Sequence, residues 1–241
     1  LVGSEMCIRD RVKPEWKNLS GAAIQPPRAD VPDVIKNILV PINAQKGDDL
    51  PVSAFRGMED GTMPLGTSQY EKRGIATHLP VWDKDECIQC NRCSMCCPHA
   101  AIRPVLLTEE EKAGAPESFV TVPAKGLGKD APAYSFRMQV SPYDCLGCGV
   151  CLTACPAKDA LTWAPFEEMK SEQPLFDDVA MNESYLKKDV ISDKSVKNVQ
   201  FAKPYFQFSA ACAGCAETTY IKLLSQMVGD RMYAGNAAGC S

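Results

Sequence analysis

Two runs of regularly spaced cysteines are the residues in this sequence best suited to chemistry. One run spans residues 87–98 and the other residues 145–156, and both contain the pattern C-x2-C-x2-C-x3-C-P. Thiolates are preferred ligands of soft metals and of iron–sulfur clusters, and this spacing is typical of bacterial proteins that hold two cubane clusters. The repeated pattern, with a proline after each fourth cysteine, therefore predicts two 4Fe-4S clusters.

The spacing also predicts which thiolates belong together. In two-cluster proteins each run wraps one cluster with its first three cysteines and sends its fourth to the other cluster. On this rule the first cluster has the ligands Cys87, Cys90, Cys93 and Cys155. The second cluster has the ligands Cys145, Cys148, Cys151 and Cys97. Cys96 stands beside Cys97, but the x3 spacing and the following Pro98 favour Cys97, which leaves Cys96 as a small apolar residue.

Zinc is the competing metal. Structural zinc sites also use four cysteines, usually as two separated C-x2-4-C pairs. Here each run places four cysteines within eleven residues, and it does so twice. The residues therefore favour iron–sulfur clusters and leave zinc as the alternative.

A third group of cysteines lies near the end of the sequence. Cys212 and Cys215 form another C-x2-C pair, and the distant Cys240 adds a third thiolate. Three thiolates are one short of a cubane site, so the pair alone fits a redox dithiol, zinc or no site at all. Two clusters upstream make a third cluster, with its fourth ligand elsewhere, a further interpretation.

Composition excludes several classes of protein. The 241 residues are 45% hydrophobic and 23% charged, as in ordinary globular proteins, and the net charge of −4 gives no reason to expect nucleic-acid binding. No apolar stretch is long enough for a transmembrane helix, and no secretory signal is visible. Thirteen cysteines would indicate disulfides in a small secreted protein, but eight lie in metal-type runs, which favours a reducing cytoplasmic setting.

The elements that must position the runs are short. Eighteen prolines and sixteen glycines indicate many turns. We assign residues 81–165 to a cluster domain, in which Trp82 precedes the first run and 47 residues separate the runs. This insert contains a predicted helical turn at Thr108–Lys112 and a predicted strand at Tyr134–Val140.

The flanking segments have weaker patterns. Residues 1–12 resemble a translated sequencing artefact, which gives Cys7 no role. Helical periodicity covers Val31–Asn43, with an interruption expected at Pro41. Further elements are predicted as a helix near Glu183–Val190, a strand at Tyr205–Phe208 and a helix through Val228 whose apolar face is Ile221, Leu224 and Val228.

Three polar features have ordinary structural interpretations. His99, directly after the first run, is expected to hydrogen-bond locally, and His78 has no visible partners. By composition alone, Glu71–Arg73 is a solvated patch of surface charge.

Residues 31–241 resemble the single-chain pyruvate:ferredoxin (flavodoxin) oxidoreductases. The stretches that carry the resemblance are Leu50–Ser53, Asp60–Thr62, Tyr70–Ala76, Cys97–Pro104, Asp144–Gly149, Ala211–Thr218 and Asn236–Ser241. The Glu-Lys-Arg triplet lies in what is known as the EKR domain of that family, so its interpretation as a plain surface patch is incomplete.

The resemblance implies an α+β architecture in several parts. These are a linker and EKR domain at 13–80, a ferredoxin-like two-cluster domain with a long insert at 81–165, a covering linker at 166–204, and the truncated start of an α/β thiamine-diphosphate-binding domain at 205–241. Cys212, Cys215 and Cys240 would hold a proximal cluster whose fourth ligand is missing. Glu217 falls on a family position near the thiamine pocket.

The resemblance also implies a reaction. Pyruvate and coenzyme A give acetyl-CoA and carbon dioxide, and the electrons pass through the clusters to ferredoxin or flavodoxin. The full-length protein, expected to be a homodimer, would use thiamine diphosphate and Mg²⁺. The sequence departs from the family at Cys96, Ala216 and Ala237–Ala238, and it lacks the other catalytic parts, so this chain alone is not expected to turn over pyruvate. The alternative is a stand-alone polyferredoxin that carries electrons without catalysis.

Overall fold

A computed structural model describes residues 14–18, 31–128, 131–187, 191 and 194–235. The predictions for residues 1–12 and for Cys240 lie outside these ranges. Packing of the Cα trace divides the chain into two compact units, Leu1–Met63 and Pro64–Ser241. The predicted domain division stays a prediction, and each unit is described by itself.

The first unit contains the helix that apolar periodicity predicts. A π-helical turn at Ile35–Leu39 runs directly into helix α1 at Val40–Asn43, and Ile35 and Ile38 are buried. The interruption near Pro41 takes the form of this wide turn, in which the Val40 N–H donates to the carbonyl oxygen of Ile35, five residues back. Proline has no N–H to donate and its ring clashes with the carbonyl four residues back, and a wider turn before it relieves that clash. The unit's 3-10 turns are Pro14–Asn18, Gly47–Asp49 and Val52–Phe55.

A two-stranded antiparallel sheet in the second unit brackets both cysteine runs. Strand β1 (His78–Trp82) pairs with β5 (Leu161–Pro165), with His78 opposite Pro165 and Trp82 opposite Leu161. Because β1 leads into the first run and β5 follows the second, this pairing brings the start of one run beside the end of the other.

A second antiparallel sheet lies between the runs. Strand β2 (Ile102–Leu107) pairs with β4 (Ser135–Val140), which also pairs with the short β3 (Val122–Pro123). All residues of β2 and β4 are buried. On β4, Phe136 packs edge-on against Trp82 and Phe201, with ring centroids 6.0 and 6.4 Å apart. The predicted strand at Tyr134–Val140 is confirmed, and so is the mixed helix-and-sheet class.

Short helices connect and flank the strands. Among the described residues they are α2 (Arg92–Cys96), α3 (Glu109–Gly114), α4 (Val150–Ala154), α5 (Phe166–Met169), α6 (Glu172–Leu175), α7 (Val196–Val199) and α8 (Ala216–Val228). A π turn covers Phe176–Ala180, and 3-10 turns cover Thr67–Tyr70, Glu183–Tyr185 and Gly229–Arg231. The predicted turn at Thr108–Lys112 is confirmed as α3, which Thr108 and Glu111 begin with a reciprocal capping box.

Two sequence predictions in this unit are wrong. The proposed helix at Glu183–Val190 is only a 3-10 turn over Glu183–Tyr185, and residues 188–190 lie outside the described ranges. Tyr205–Phe208 does not form a strand, because Phe208 has a left-handed backbone with φ of +50° and its ring turns into the interior. Alternating aromatic residues suggested an extended chain but carried no information about a partner strand.

The buried face of α8 also differs from the prediction, although Ile221 and Val228 are half-buried. Leu224 is 52% exposed, whereas the buried residues are Thr218, Lys222, Ser225 and Gln226. Lys222 and Gln226 can be buried because they donate to backbone carbonyls of other segments, whereas Thr218 and Ser225 donate to carbonyls of Cys215 and of α8 itself. Gln226, for example, donates to the carbonyl oxygen of Ala202 at 3.1 Å. Within the described ranges, no helix has the length and apolar character needed to cross a membrane.

Candidate functional site

The first cavity is lined by four thiols. They are Cys87, Cys90, Cys93 and Cys155. The rest of the wall is mostly apolar and includes Trp82, Met138 and Leu161, around about 330 Å³ of empty space that is partly open to solvent. The β1–β5 pairing thus brings the last cysteine of the second run to the first three cysteines of the first run.

The second cavity has the reciprocal set of thiols. They are Cys97, Cys145, Cys148 and Cys151. Its wall also contains Pro80, His99 and Trp163, around about 410 Å³ of space that is again partly open to solvent. The two groups brought together in space are the same two groups that the crossed spacing rule predicts.

Each run directs its thiols toward a cavity through a left-handed turn that precedes a short helix. Asn91 precedes α2 with φ of +59°, and Gly149 precedes α4 with φ of +77°. Inside each turn a backbone N–H points at the first thiol of its run. The Gln89 nitrogen lies 3.4 Å from Cys87 Sγ, and the Gly147 nitrogen lies 3.5 Å from Cys145 Sγ. Amide groups aimed at thiolate sulfur are a usual means of stabilising ligated clusters.

The spacing of the thiols differs from that of a single-ion site. Among the described residues, no three cysteine, histidine or acidic side chains converge closely enough to hold one metal ion. Each cavity is nevertheless lined by four thiols. Zinc requires four sulfurs at about 2.3 Å, a convergence that the described thiols do not show, and it is the repeated cysteine spacing that favours a cluster.

Burial sets the protonation of the thiols when no metal is bound. It raises the pKa of Cys145 to about 12, and it also raises the pKa values of Cys93 and Cys151. Because only thiolates bind metal, loading of these sites must release protons.

Cys96 takes no part in either group of four. Its Sγ donates to the carbonyl oxygen of Cys93 at 3.4 Å, and burial raises its pKa to about 11. Its neighbour Cys97 lines the second cavity instead.

Each cavity wall also contains a residue with an unsatisfied buried nitrogen. Trp82 Nε1 and His99 Nε2 have no hydrogen-bond partner among the described residues. The other ring nitrogen of His99, Nδ1, lies 3.3 Å from Ser209 Oγ, and burial lowers the pKa of His99. The Trp82 indole is a donor only, and a buried donor without an acceptor is costly, so cluster sulfur beside the first wall is a chemically suitable acceptor for it. The donor sets and the walls therefore both fit iron–sulfur clusters.

The Glu-Lys-Arg triplet is more than surface charge. Lys72 Nζ lies 2.7 Å from Asp144 and 3.0 Å from Asp177, and the Asp144 side chain is only 3% exposed. Asp144 directly precedes the first cysteine of the second run. The next glycine in the loop, Gly74, donates its N–H to the carbonyl oxygen of Tyr143 at 2.8 Å. The loop is thereby fastened to the entry of the second run.

Two buried rings surround a second cation beside this ion pair. The Arg103 guanidinium lies 5.2 Å from the centre of the Phe176 ring and 5.1 Å from that of Phe208, and Lys72 approaches the same two rings. Arg103 also donates to the carbonyl oxygen of Ala100 at 2.8 Å. Sequence reasoning missed this cluster, since its members are far apart in the chain.

The third cysteine group lies against the second run. A Cβ placed on Gly214 would be 3.8 Å from Cys148 Cβ, so the Cys212–Cys215 turn packs beside that thiol. A hydrogen bond from the Thr218 N–H lowers the pKa of Cys215 at the start of α8. Glu217 is exposed in the first turn of α8.

Comparisons with known proteins agree with this picture. Residues 22–76 match the EKR family, described as a domain of unknown function, and residues 86–159 match a 4Fe-4S dicluster domain. The chain is 47% identical over 241 residues to pyruvate-flavodoxin oxidoreductase of Enterobacter agglomerans, covering 99% of this chain and 20% of the relative. It is homologous to a segment of the pyruvate oxidoreductases.

Other relatives give the same result. Pyruvate:ferredoxin oxidoreductase of Moorella thermoacetica is 51% identical over 211 residues, covering 87% of this chain and 18% of the relative. Pyruvate-flavodoxin oxidoreductase of Klebsiella pneumoniae is 46% identical over 228 residues, covering 94% and 19%. The chain thus spans about a fifth of the length of these pyruvate oxidoreductases. The family resemblance inferred from the sequence is confirmed.

Proposed function

We propose that this chain is the electron-transfer segment of a pyruvate:ferredoxin/flavodoxin oxidoreductase. The observation that carries the proposal is the reciprocal pair of four-thiol cavities inside a chain homologous to these enzymes. Each cavity holds one 4Fe-4S cluster. The first is ligated by Cys87, Cys90, Cys93 and Cys155, and the second by Cys145, Cys148, Cys151 and Cys97, in a ferredoxin-like arrangement.

The contacts of the third cysteine group suggest the order of the relay. Cys212, Cys215 and Cys240 hold a proximal cluster together with a fourth ligand from another part of the full-length protein. Because the Cys212–Cys215 turn packs against Cys148, this cluster delivers electrons to the second site. The first site then passes them to ferredoxin or flavodoxin, one electron at a time.

The carbon chemistry belongs to the full-length protein. Thiamine diphosphate with Mg²⁺ supplies the decarboxylation of pyruvate when bound, and coenzyme A accepts the acetyl group. Glu217, at the start of α8, is placed near the thiamine pocket in this proposal. Ala216, where the family usually has glycine, has no left-handed backbone and so introduces no strain there. The complete protein is proposed to be a homodimer.

Anaerobic reconstitution tests the cluster assignment. The chain, loaded with iron and sulfide, should contain iron and acid-labile sulfide in equal amounts, enough for two cubane clusters, and should show the EPR spectrum of reduced 4Fe-4S centres. A colourless protein that binds zinc and no sulfide would sink the proposal.

A kinetic experiment tests the role in the larger enzyme. The full-length protein should reduce flavodoxin or ferredoxin only when both pyruvate and coenzyme A are present. A stand-alone polyferredoxin, the alternative, would exchange electrons with these carriers but show no dependence on pyruvate. The continuous match to the enzymes, which includes the Cys212–Cys215 region, does not favour that alternative.

A further inference from the structure

Lys222 is a buried lysine in the middle of α8. It is only 1% exposed, although a lysine is rarely fully buried without a partner. Its Nζ donates to the carbonyl oxygen of Met95 at 3.0 Å and to that of Ser94. Both carbonyls belong to α2, between Cys93 of the first site and Cys97 of the second. The ammonium group therefore lies beside the backbone that connects the two cysteine sets.

No carboxylate pairs with Lys222 within the described ranges. The other buried cation nearby, Arg103, lies within electrostatic reach of Asp144. Burial of an unpaired ammonium group is costly, and two carbonyl groups offset only part of that cost. A negative charge that compensates Lys222 must therefore come from some other group close by.

Thiols flank the backbone that Lys222 binds, because Ser94 and Met95 directly follow Cys93 and directly precede Cys96 and Cys97. Electrostatic interaction with Cys97, Cys96 and Cys93 opposes the effect of burial, which lowers the pKa of Lys222 to about 8. Two of these thiols line the cavities, one in each. Four thiolates outweigh the positive charge of a cubane core, so a loaded site is net negative, and it is more negative when reduced.

We propose that Lys222 is the counter-charge of the cluster sites, acting on the second site through Cys97 and raising its reduction potential. This inference rests on the proposed function, since it requires the clusters to be bound. A fixed positive charge stabilises the reduced site more than the oxidised one, because reduction adds negative charge. Lys222 would thus set the reduction potential of the second site from α8, the helix that follows the third cysteine group.

Two substitutions separate the charge from the hydrogen bonds. Lys222→Gln keeps N–H donors for the two carbonyls but removes the charge, whereas Lys222→Arg keeps the charge. Lys170→Gln is the control, because Lys170 is an exposed lysine paired with Glu167. Each reconstituted variant is titrated with reductant under EPR detection, and the second-site signal is identified by its change in Cys148→Ser.

Lys222→Gln should reduce the equilibrium constant for reduction of the second site about tenfold, a shift of ~59 mV for one electron. The first site should shift less, and Lys222→Arg and Lys170→Gln should stay within about threefold of the parent protein, or ~28 mV. Equal shifts in the Gln and Arg variants would overturn the proposal, since both would then reflect packing. An unchanged potential in Lys222→Gln would overturn it as well.

If a variant incorporates too little iron and sulfide for a titration, its content of bound iron provides a second test. Loss of second-site iron in Lys222→Gln but not in Lys222→Arg supports the counter-charge, and loss in both variants contradicts it. Absence of iron and sulfide in the parent protein would instead be a failure of the proposed function. The two failures are therefore distinguishable.

Discussion

The two cysteine cavities use the same ligand spacing but are enclosed by different parts of the chain. The first is walled by β1, β5 and β4 through Trp82, Leu161 and Met138. The second is reached by segments distant in sequence, including the loop of Lys72 and the Cys212–Cys215 turn. Both sites use the β1–β5 sheet, since Pro80 and Trp163 line the second cavity, but the second site is also a junction between the runs and both flanking segments.

The cations near the thiols also differ between the two cavities in how deeply they are buried. The buried cations Arg103 and Lys222 both interact with Cys97 of the second site, and Lys222 interacts to a smaller extent with Cys93 of the first site. Near the first site, Lys197 interacts with Cys87 and Cys90 but is partly exposed. Solvent screens an exposed charge far more than a buried one. The comparison therefore indicates that flanking segments control the second site more strongly than the first.

The largest expected effect is the loss of one cluster when the fourth cysteine of a run is replaced by serine. Cys155 belongs to the second run, but Cys155→Ser should remove the cluster of the first site. Cys97 belongs to the first run, but Cys97→Ser should remove the cluster of the second site. Each variant should lose about half of the bound iron and sulfide, since each site holds one cluster. Cys96→Ser is the matched control and should keep both clusters, because Cys96 lines neither cavity.

EPR of the remaining cluster decides the outcome. If Cys155→Ser left the first-site signal intact and changed the second, the crossed ligation would be wrong. Loss of iron in Cys96→Ser would mean that Cys96, and not Cys97, is the ligand of the second cluster.

The next effect should come from the Lys72 ion pair. Lys72→Met leaves Asp144, which is 3% exposed, without its cation and should destabilise the second unit by about 2–3 kcal/mol, less than for a fully buried pair because Lys72 is 26% exposed. Denaturant unfolding of the reconstituted protein measures the change. The control Lys84→Met breaks an exposed pair with Asp85 and should change little. Similar losses in both variants would remove the special role assigned to the Glu-Lys-Arg loop.

A smaller effect is expected at Gly147, inside the second run. Its φ is +65°, and an added Cβ would lie 3.2 Å from both Ala76 Cβ and the carbonyl oxygen of His78. Gly147→Ala should therefore cost about 1–2 kcal/mol from the left-handed backbone alone, plus the cost of moving these neighbours. Gly57→Ala is the control, since Gly57 has φ of +87° with nothing within 4 Å of an added Cβ. Gly147→Ala should also release second-site iron faster, and equal behaviour of the two variants would argue against close packing of the loop on the second run.

The sequence predicted the cysteine groups because ligand spacing is a local property. The x2 intervals fix which thiols one turn can present, and the fourth cysteine of such a run is known to serve the other site. The strand at Ser135–Val140 and the helical turn at Glu109–Gly114 were predictable for the same reason, since alternation and a capping box are contained within a few residues.

Features that depend on distant partners were not predictable. Lys72 pairs with Asp144, 72 residues away, and a run of three charges shows nothing of such a partner. Lys222 is buried on a helix whose apolar residues suggested the opposite face, because the carbonyls that it meets belong to α2. Phe208 turns inward to pack on Phe176 and Arg103, which outweighs the extended backbone that its alternation with Phe206 favours.

The smallest expected effect concerns the indole of Trp82 in the wall of the first cavity. Its Nε1–H is buried and has no acceptor among the described residues, whereas cluster sulfur is a suitable one. Trp82→Phe keeps an aromatic ring against Phe136 but removes the donor. A hydrogen bond of about 1 kcal/mol that forms mainly in the reduced state corresponds to about a fivefold change in the equilibrium constant for reduction, or ~40 mV. The first-site potential should fall by this amount and the second should not.

Trp163→Phe is the matched control, because Trp163 lines the second cavity and is 45% exposed. Its indole is already accessible to water, so loss of the N–H should leave both potentials nearly unchanged. Should Trp82→Phe also leave the first-site potential unchanged, the buried indole does not reach the cluster, and the first site is adjusted by its backbone amides and by the cations Lys197 and Lys222. An equal fall at both sites in Trp82→Phe would instead mean that the two walls are mechanically coupled through Phe136, against the independence of the first site that the different walls imply.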